Sequence, residues 1–268
     1  MQQSKYIVLC IVALLFASCN RSSKMLKDPD PEKRLAYAQQ LYETKRYESA
    51  IQLYESLIPI YRGTDKAEAM YYQYSDCYYQ IGDFVSAAFH FNNFAKQFSQ
   101  SSKAEEAAFL AAYCTYLEAP EEKLDQSSSK EAITQFQYFV NLYPESKHIE
   151  ECNKYIDEIR EKLASKSLRI AKLYNNIYEY RASRVLLQSL LQEYAETSIV
   201  EEAMFVLAKN EYEYASKSIV AKKEERFWAC IEHCNAAVTK FPESKYQKEL
   251  KQYADNAYKH IAKLNNNK

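Results

Sequence analysis

Glycine occurs only twice in the 268 residues, at Gly63 and Gly82. Tight hairpins, phosphate-cradling loops and most sheet-rich folds use glycine freely, so its scarcity excludes a glycine-rich nucleotide loop and points to an all-α chain. An excess of charge of one sign is also missing. The 35 basic and 36 acidic residues are interspersed and leave a formal net charge of -1. With no basic face, nucleic acid is not an expected partner. Cysteines past residue 19 are few and odd in number: Cys77, Cys114, Cys152, Cys230 and Cys234 are scattered through helical pattern and form no disulfide framework. Cys230, His233 and Cys234 share one helical turn, but no second half follows at ligand spacing, so neither a metal nor a cofactor is expected. Catalytic motifs are lacking as well. There is no Gly-x-Ser-x-Gly, no paired-histidine helix motif and no cysteine–histidine pair within reach, which reads as a protein that is not an enzyme.

Long apolar runs are absent with one exception, the stretch IVLCIVALLFASCN that begins at Ile7. It follows Lys5 and falls short of the ~20 residues of a spanning helix, which fits an export signal. Its end resembles a bacterial lipobox, with the small pair Ala17 and Ser18 directly before Cys19. The resemblance implies cleavage between Ser18 and Cys19, a covalent lipid on Cys19 and a membrane anchor through that lipid. Neither Asn20 nor Arg21 is acidic, which favours the outer membrane over retention in the inner one.

The rest of the chain repeats itself. Four segments carry similar punctuation: Phe98-Ser-Gln-Ser-Ser-Lys103, Tyr143-Pro-Glu-Ser-Lys147, Tyr194-Ala-Glu-Thr-Ser198 and Phe241-Pro-Glu-Ser-Lys245. Each reads as one helix ending and another starting. Ser102 with Glu105, Ser198 with Glu201, Ser244 with Gln247 and, less typically, Asp65 with Glu68 stand at capping-box spacing. Small residues recur twelve apart, as Ala38 and Ala50, Ser75 and Ala87, Ala171 and Ser183. Tyr54 and Leu57, Phe91 and Phe94, Leu187 and Leu190 follow the second member. This resembles the tetratricopeptide pattern, in which small residues let paired helices approach and large ones fill the gaps between pairs. The third pair carries a swollen turn over 120–130, and the fifth carries an insertion over 214–226. By register, Cys230 and Cys234 fall at core positions.

The expected architecture is all-α: a tetratricopeptide-repeat superhelix of about five helix pairs plus a C-terminal capping helix, with a concave groove. The chain divides into a signal peptide (1–18), a lipidated N-terminus and flexible tether (19–32), the repeat domain (33–264) and a polar tail (265–268). Aligning the first helices by their small residues puts Leu35 and Tyr42, then Tyr72, Asp76 and Tyr79, then Phe109, Tyr113 and Tyr116 on the groove. An aromatic groove suits an extended or turn-like peptide.

One stretch is more specific. Phe136-Gln-Tyr-Phe139, Tyr143-Pro-Glu-Ser146, Leu163-Ala164, Ile170-Ala171-Lys-Leu-Tyr174 and Tyr180-Arg-Ala-Ser183, together with the lengthened third repeat, resemble the BamD (YfiO/ComL) family of outer-membrane lipoproteins. Ser167 and Ala195 depart from residues common in that family. The resemblance implies an adaptor of the β-barrel assembly machinery, held at the outer membrane and facing the periplasm. Its later repeats would hold the periplasmic domains of a BamA-like barrel-forming subunit, here around Tyr180, Arg184, Phe205, Lys209 and Tyr212. Its earlier repeats would receive the terminal targeting segments of unfolded outer-membrane proteins. The alternative that shares the lipid, the repeats and the groove is a scaffold that recruits or regulates peptidoglycan enzymes; a glycan-binding partner of a nutrient transporter usually needs a longer chain with a large non-repeat part.

Overall fold

The computed structural model describes residues 22–266, so the signal and Cys19 lie outside the described residues. Every regular element among them is helical. A short helical segment at 22–26 precedes α1 (Pro31–Glu43), α2 (Tyr47–Tyr61), α3 (Ala67–Gln80), α4 (Phe84–Gln97), α5 (Ala104–Leu117), α6 (Ser127–Leu142), α7 (Ile149–Asn176), α8 (Tyr180–Glu193), α9 (Val200–Ser216), α10 (Val220–Lys240) and α11 (Gln247–Asn266). No helix among the described residues is long and apolar enough to cross a membrane.

Two compact units divide the chain. The first runs to Ala119 and includes Ser127–Asn153; the second holds Pro120–Gln126 and everything from Lys154 on. In the first, helices α1 to α6 pack each against its chain neighbour; in the second, α8 to α11 do the same, and α11 also touches α9. The helix pairs form because their small residues vanish into the contacts. Ala38, Ala50, Ser75, Ala87, Ala171 and Ser183 are all fully buried, as are Tyr54, Leu57, Phe91, Phe94 and Leu187 beside them. The long α7 keeps one buried stripe through Cys152, Ile156, Ile159, Leu163 and Ala171, at helical spacing.

The five cysteines of the repeats are free and buried. Burial pushes the thiols of Cys77, Cys114 and Cys152 up to about 12. Cys230 is raised too, first by its contact with the Cys234 sulfur at 4.0 Å and then by burial. These are packing residues, as their register implies.

Three expectations need correction. The tether is not wholly loose: residues 22–26 are helical, Met25 and Leu26 pack against the first hydrophobic cluster, and Asp30 caps α1 by accepting from the Glu32 and Lys33 amides. Residues 265 and 266, expected in the polar tail, belong to α11, which continues to Asn266. The fifth-repeat insertion lengthens α9 and α10 and leaves a three-residue turn at 217–219. Finally, the capping boxes do not form. The residues that precede α3, α5 and α9, Lys66, Lys103 and Ile199, make no side-chain cap. Ser198 and Ser244 of the expected boxes reach instead to a glutamate one repeat earlier, Glu161 (3.0 Å) and Glu201 (2.6 Å), and so do Ser101, next to Ser102, to Glu68 (2.6 Å) and Ser146 to Glu105 (2.5 Å). Glu68, Glu105 and Glu201 stand in the first turns of their helices, where the dipole favours a carboxylate, and become acceptors for the next repeat's turn, whereas Glu161 does so from the middle of α7.

Candidate functional site

In the first unit, the first helices of three consecutive pairs carry a run of half-buried polar aromatics. The Tyr42 hydroxyl on α1 donates to Asp76 Oδ2 on α3 at 2.5 Å, and Gln80 Nε2 donates to the other Asp76 oxygen at 3.2 Å. Burial, then the bond to Asp76, raises the Tyr42 hydroxyl far above the ordinary tyrosine value. Tyr79 is raised as well, by burial first and by the nearby Tyr113 phenol of α5 next. Tyr113 stacks on Tyr116 at 6.0 Å with 21° between the rings. The structure thus brings Tyr42, Asp76, Tyr79, Tyr113 and Tyr116 into one stripe across α1, α3 and α5. Each offers a partly exposed ring or an acceptor beside one.

Leu35, Tyr72 and Phe109, expected on the same groove, are buried. Each stands at the N-terminal end of its set, where neighbouring elements close over it. Leu35 belongs to the first hydrophobic cluster, and Tyr72 meets the edges of Phe91 (5.7 Å) and Phe94 (5.3 Å) on α4. Phe109 lies between Phe139 (5.8 Å) and the His148 ring, which stacks on it at 4.0 Å. These three build the wall behind the stripe and present no face to a ligand.

Among the residues expected to dock a partner in the second unit, Tyr180 is buried, and its carbonyl accepts from the buried Asn210 Nδ2 at 3.1 Å. Arg184 grips both carboxylate oxygens of Glu211, which is completely buried. Phe205 stacks on Tyr246 at 4.2 Å, Tyr212 packs 5.1 Å from Tyr253, and Lys209 pairs with Glu213 at 3.8 Å. The five do not form one surface. Phe205, Lys209 and Tyr212 follow one face of α9, with Phe205 and Tyr212 against α11, whereas Tyr180 and Arg184 on α8 meet Asn210, Glu211 and Tyr214 on another.

Sequence reasoning missed two clusters. His90 sits among Tyr71, Tyr74 and Tyr78, with the Tyr78 ring stacked on it at 5.1 Å; the one available signal was a second tyrosine face on α3 at three- and four-residue steps. The other is a group of arginines around Tyr214, inside the fifth-repeat insertion, where no local motif marks it.

The family model YfiO, described as "Outer membrane lipoprotein", matches residues 27–227. The chain belongs to the YfiO family of outer membrane lipoproteins. The match runs from just before α1 into α10, so the rest of α10 and α11 lie past it. Within the YfiO relatives, outer membrane protein assembly factor BamD of Haemophilus influenzae is 20% identical over 260 residues, which cover 90% of this chain and 99% of that one. The factor of the same name from Buchnera aphidicola is 31% identical over 90 residues, 34% of this chain and 37% of that one. Among solved structures, a TPR repeats protein from Bacteroides fragilis aligns over 87% of this chain and all of its own at 16% identity, with a TM-score of 0.43.

Proposed function

We propose that this YfiO-family chain is a non-catalytic adaptor for assembly of proteins into the outer membrane. It is anchored by lipid on Cys19, faces the periplasm, and carries unfolded barrel proteins to a BamA-like barrel-forming subunit. The observation that carries the reading is the near full-length relation to a BamD assembly factor, together with the family match over most of the repeats. The stripe from Tyr42 to Tyr116 gives that role a surface. Its half-buried phenols and the Asp76 carboxylate suit an extended, aromatic-rich segment, because each ring presents an apolar face and a polar edge. The second unit is the side proposed to hold the barrel-forming subunit, through the α9 face of Phe205, Lys209 and Tyr212 and, separately, the α8 face of Arg184.

The test is a paired binding measurement by calorimetry. Tyr79→Ala and Tyr116→Ala weaken binding of an aromatic-ended peptide from an outer-membrane barrel protein by about fivefold or more each, as truncated interface anchors commonly do. Both keep the affinity for the isolated periplasmic domains of the barrel-forming subunit. Loss of subunit binding with the peptide retained would reverse the assignment of the two halves.

A further inference from the structure

The proposed lipid and the fold stand close together. Only Asn20 and Arg21 separate Cys19 from Ser22, where the described helical segment at 22–26 begins. Three Cα steps of at most ~3.6 Å allow about 11 Å between them, whatever course the chain takes. The segment cannot swing away from the fold, because Met25 and Leu26 pack against the hydrophobic cluster of α1, α2 and α3. The Lys27 and Asp28 amides close its turn by donating to the Lys24 and Met25 carbonyls, each at 3.1 Å. This end of the first unit is therefore held within about 11 Å of the lipid-bearing residue.

The charges nearest the lipid are basic. Lys24 and Lys27, three apart on one turn, are both exposed, and among the described residues neither has an ion-pair partner. No acid stands between Cys19 and Asp28, and over residues 20–34 five basic residues outnumber three acidic ones. Those three acids are turned to the start of α1. Asp28 Oδ1 accepts the Asp30 amide at 2.9 Å, and Asp30 accepts the Glu32 and Lys33 amides and lies 3.7 Å from Lys33 Nζ. Glu32 accepts from the Tyr61 hydroxyl at 2.9 Å and from Lys66. The acids keep their charge and weaken the field of the two lysines, Asp28 beside Lys27 above all. Along the chain from Cys19, however, the basic residues come first.

We infer that Lys24 and Lys27 bind the headgroup phosphates of anionic lipids in the membrane that holds the Cys19 lipid; the inference rests on the anchor proposed above. A lysine is a compact point charge with three rotatable donors, which suits a fluid array of phosphates. Met25 and Leu26 are taken up by the fold, so the segment's two large apolar side chains are not free to insert and its contact is electrostatic. The distance is short enough for that, since charges act over a Debye length of about 8 Å at physiological salt and lysine's own stem reaches towards the surface. An acidic protein would have to enter a gap of at most about 11 Å between bilayer and fold, no wider than a single helix.

The experiment uses the chain from Cys19 to Lys268 with one acyl chain coupled to the Cys19 thiol through a maleimide; the five cysteines of the repeats are buried. Attaching the chain chemically makes the result independent of whether the cell acylates Cys19, which fatty-acid labelling tests by itself. A single acyl chain binds reversibly, so sedimentation with vesicles reads the partition. Vesicles of phosphatidylcholine alone are compared with vesicles that also contain phosphatidylglycerol. At low salt the anionic vesicles bind about tenfold more tightly, roughly twofold for each of Arg21, Lys24 and Lys27 once the nearby carboxylates are discounted, and the ratio falls towards one at high salt. Lys24→Gln/Lys27→Gln, at exposed positions, reduces the ratio to about twofold. Lys259→Gln/Lys263→Gln, on α11, removes the same net charge and leaves the ratio unchanged. Equal binding to both vesicles overturns the inference, as it would if an acidic protein were the true partner. So does a ratio that the Lys24 and Lys27 variant keeps, or that the α11 variant loses to the same extent.

Discussion

Ser101 Oγ donates a 2.6 Å hydrogen bond to Glu68 Oε1 across one repeat, and the same oxygen accepts the Lys103 amide at 3.0 Å. Ser146 repeats the arrangement with Glu105 and the His148 amide, and Ser244 with Glu201 and the Tyr246 amide. Each serine thus ties the turn it sits in to the first turn of the preceding pair. A hydrogen bond to a charged group is worth about 1.5–3 kcal/mol in favourable settings, and partial exposure here puts the loss at the lower end. Ser101→Ala is expected to destabilise by about 1.5 kcal/mol, measured by urea unfolding. A double-mutant cycle with Glu68→Ala then shows a coupling of about 1 kcal/mol, whereas independent effects would deny the tie.

The same serines show what the sequence could and could not convey. Ala38 with Ala50 and Ser75 with Ala87 were legible as helix contacts because the requirement is steric and local: only a small side chain lets two helices approach. The capping boxes misled because a glutamate three residues after a hydroxyl looks the same whether it caps its own helix or accepts from the next repeat. The choice is made by tertiary geometry. The candidate site divides in the same way. Position along the first helix identified Tyr42, Asp76, Tyr79, Tyr113 and Tyr116, but it could not reveal that Phe91, Phe94, Phe139 and His148 cover Tyr72 and Phe109. Nor could the insertion's place in the sequence foresee Arg181 and Arg226 meeting at Tyr214.

Gly82 and Tyr178 occupy matching turns between paired helices, with φ of +79° and +67°. Each turn closes in the same way, with Gly82 N donating to the Tyr79 carbonyl and Tyr178 N to the Asn175 carbonyl. A Cβ on Gly82 would meet nothing within 4 Å, so Gly82→Ala measures backbone strain alone. It is expected to cost about 1 kcal/mol. Tyr178 already bears that strain, and its side chain is 73% exposed. Tyr178→Asn, which suits the left-handed region, is expected to stabilise by about 0.5 kcal/mol. Thermal melting of the two variants checks both signs.

His90 gives the fold a pH dependence. Burial among the tyrosines lowers its pKa below the ordinary value, while Glu55 and Asp83 pull in the opposite direction. The unfolded chain therefore takes up the proton first as pH falls. The contribution of neutral His90 is fully present above about pH 6.5 and declines below it, towards the lowered folded value. Melting curves between about pH 7.5 and 5 are expected to fall more steeply for the wild type than for His90→Gln. Parallel slopes would place the titration elsewhere.

The proposed anchor rests on one side chain. Cys19→Ala is expected to abolish labelling by a fatty-acid probe and to release the protein from the outer-membrane fraction unless complex partners retain it. Labelling that persists in the variant would remove the lipid from Cys19.

Arg184 and Glu211 form a tightly buried ion pair, with 0% of the Glu211 side chain and 31% of the Arg184 side chain exposed. Such a pair stabilises little relative to apolar residues, because desolvation offsets the attraction; removing one partner, however, strands the other charge in the interior. Arg184→Leu is therefore expected to cost about 3 kcal/mol, and Arg184→Leu/Glu211→Leu to return to within about 1 kcal/mol of the wild type. Urea unfolding of the single and double variants checks both figures, and a double variant as unstable as Arg184→Leu alone would deny that a stranded charge is the cause.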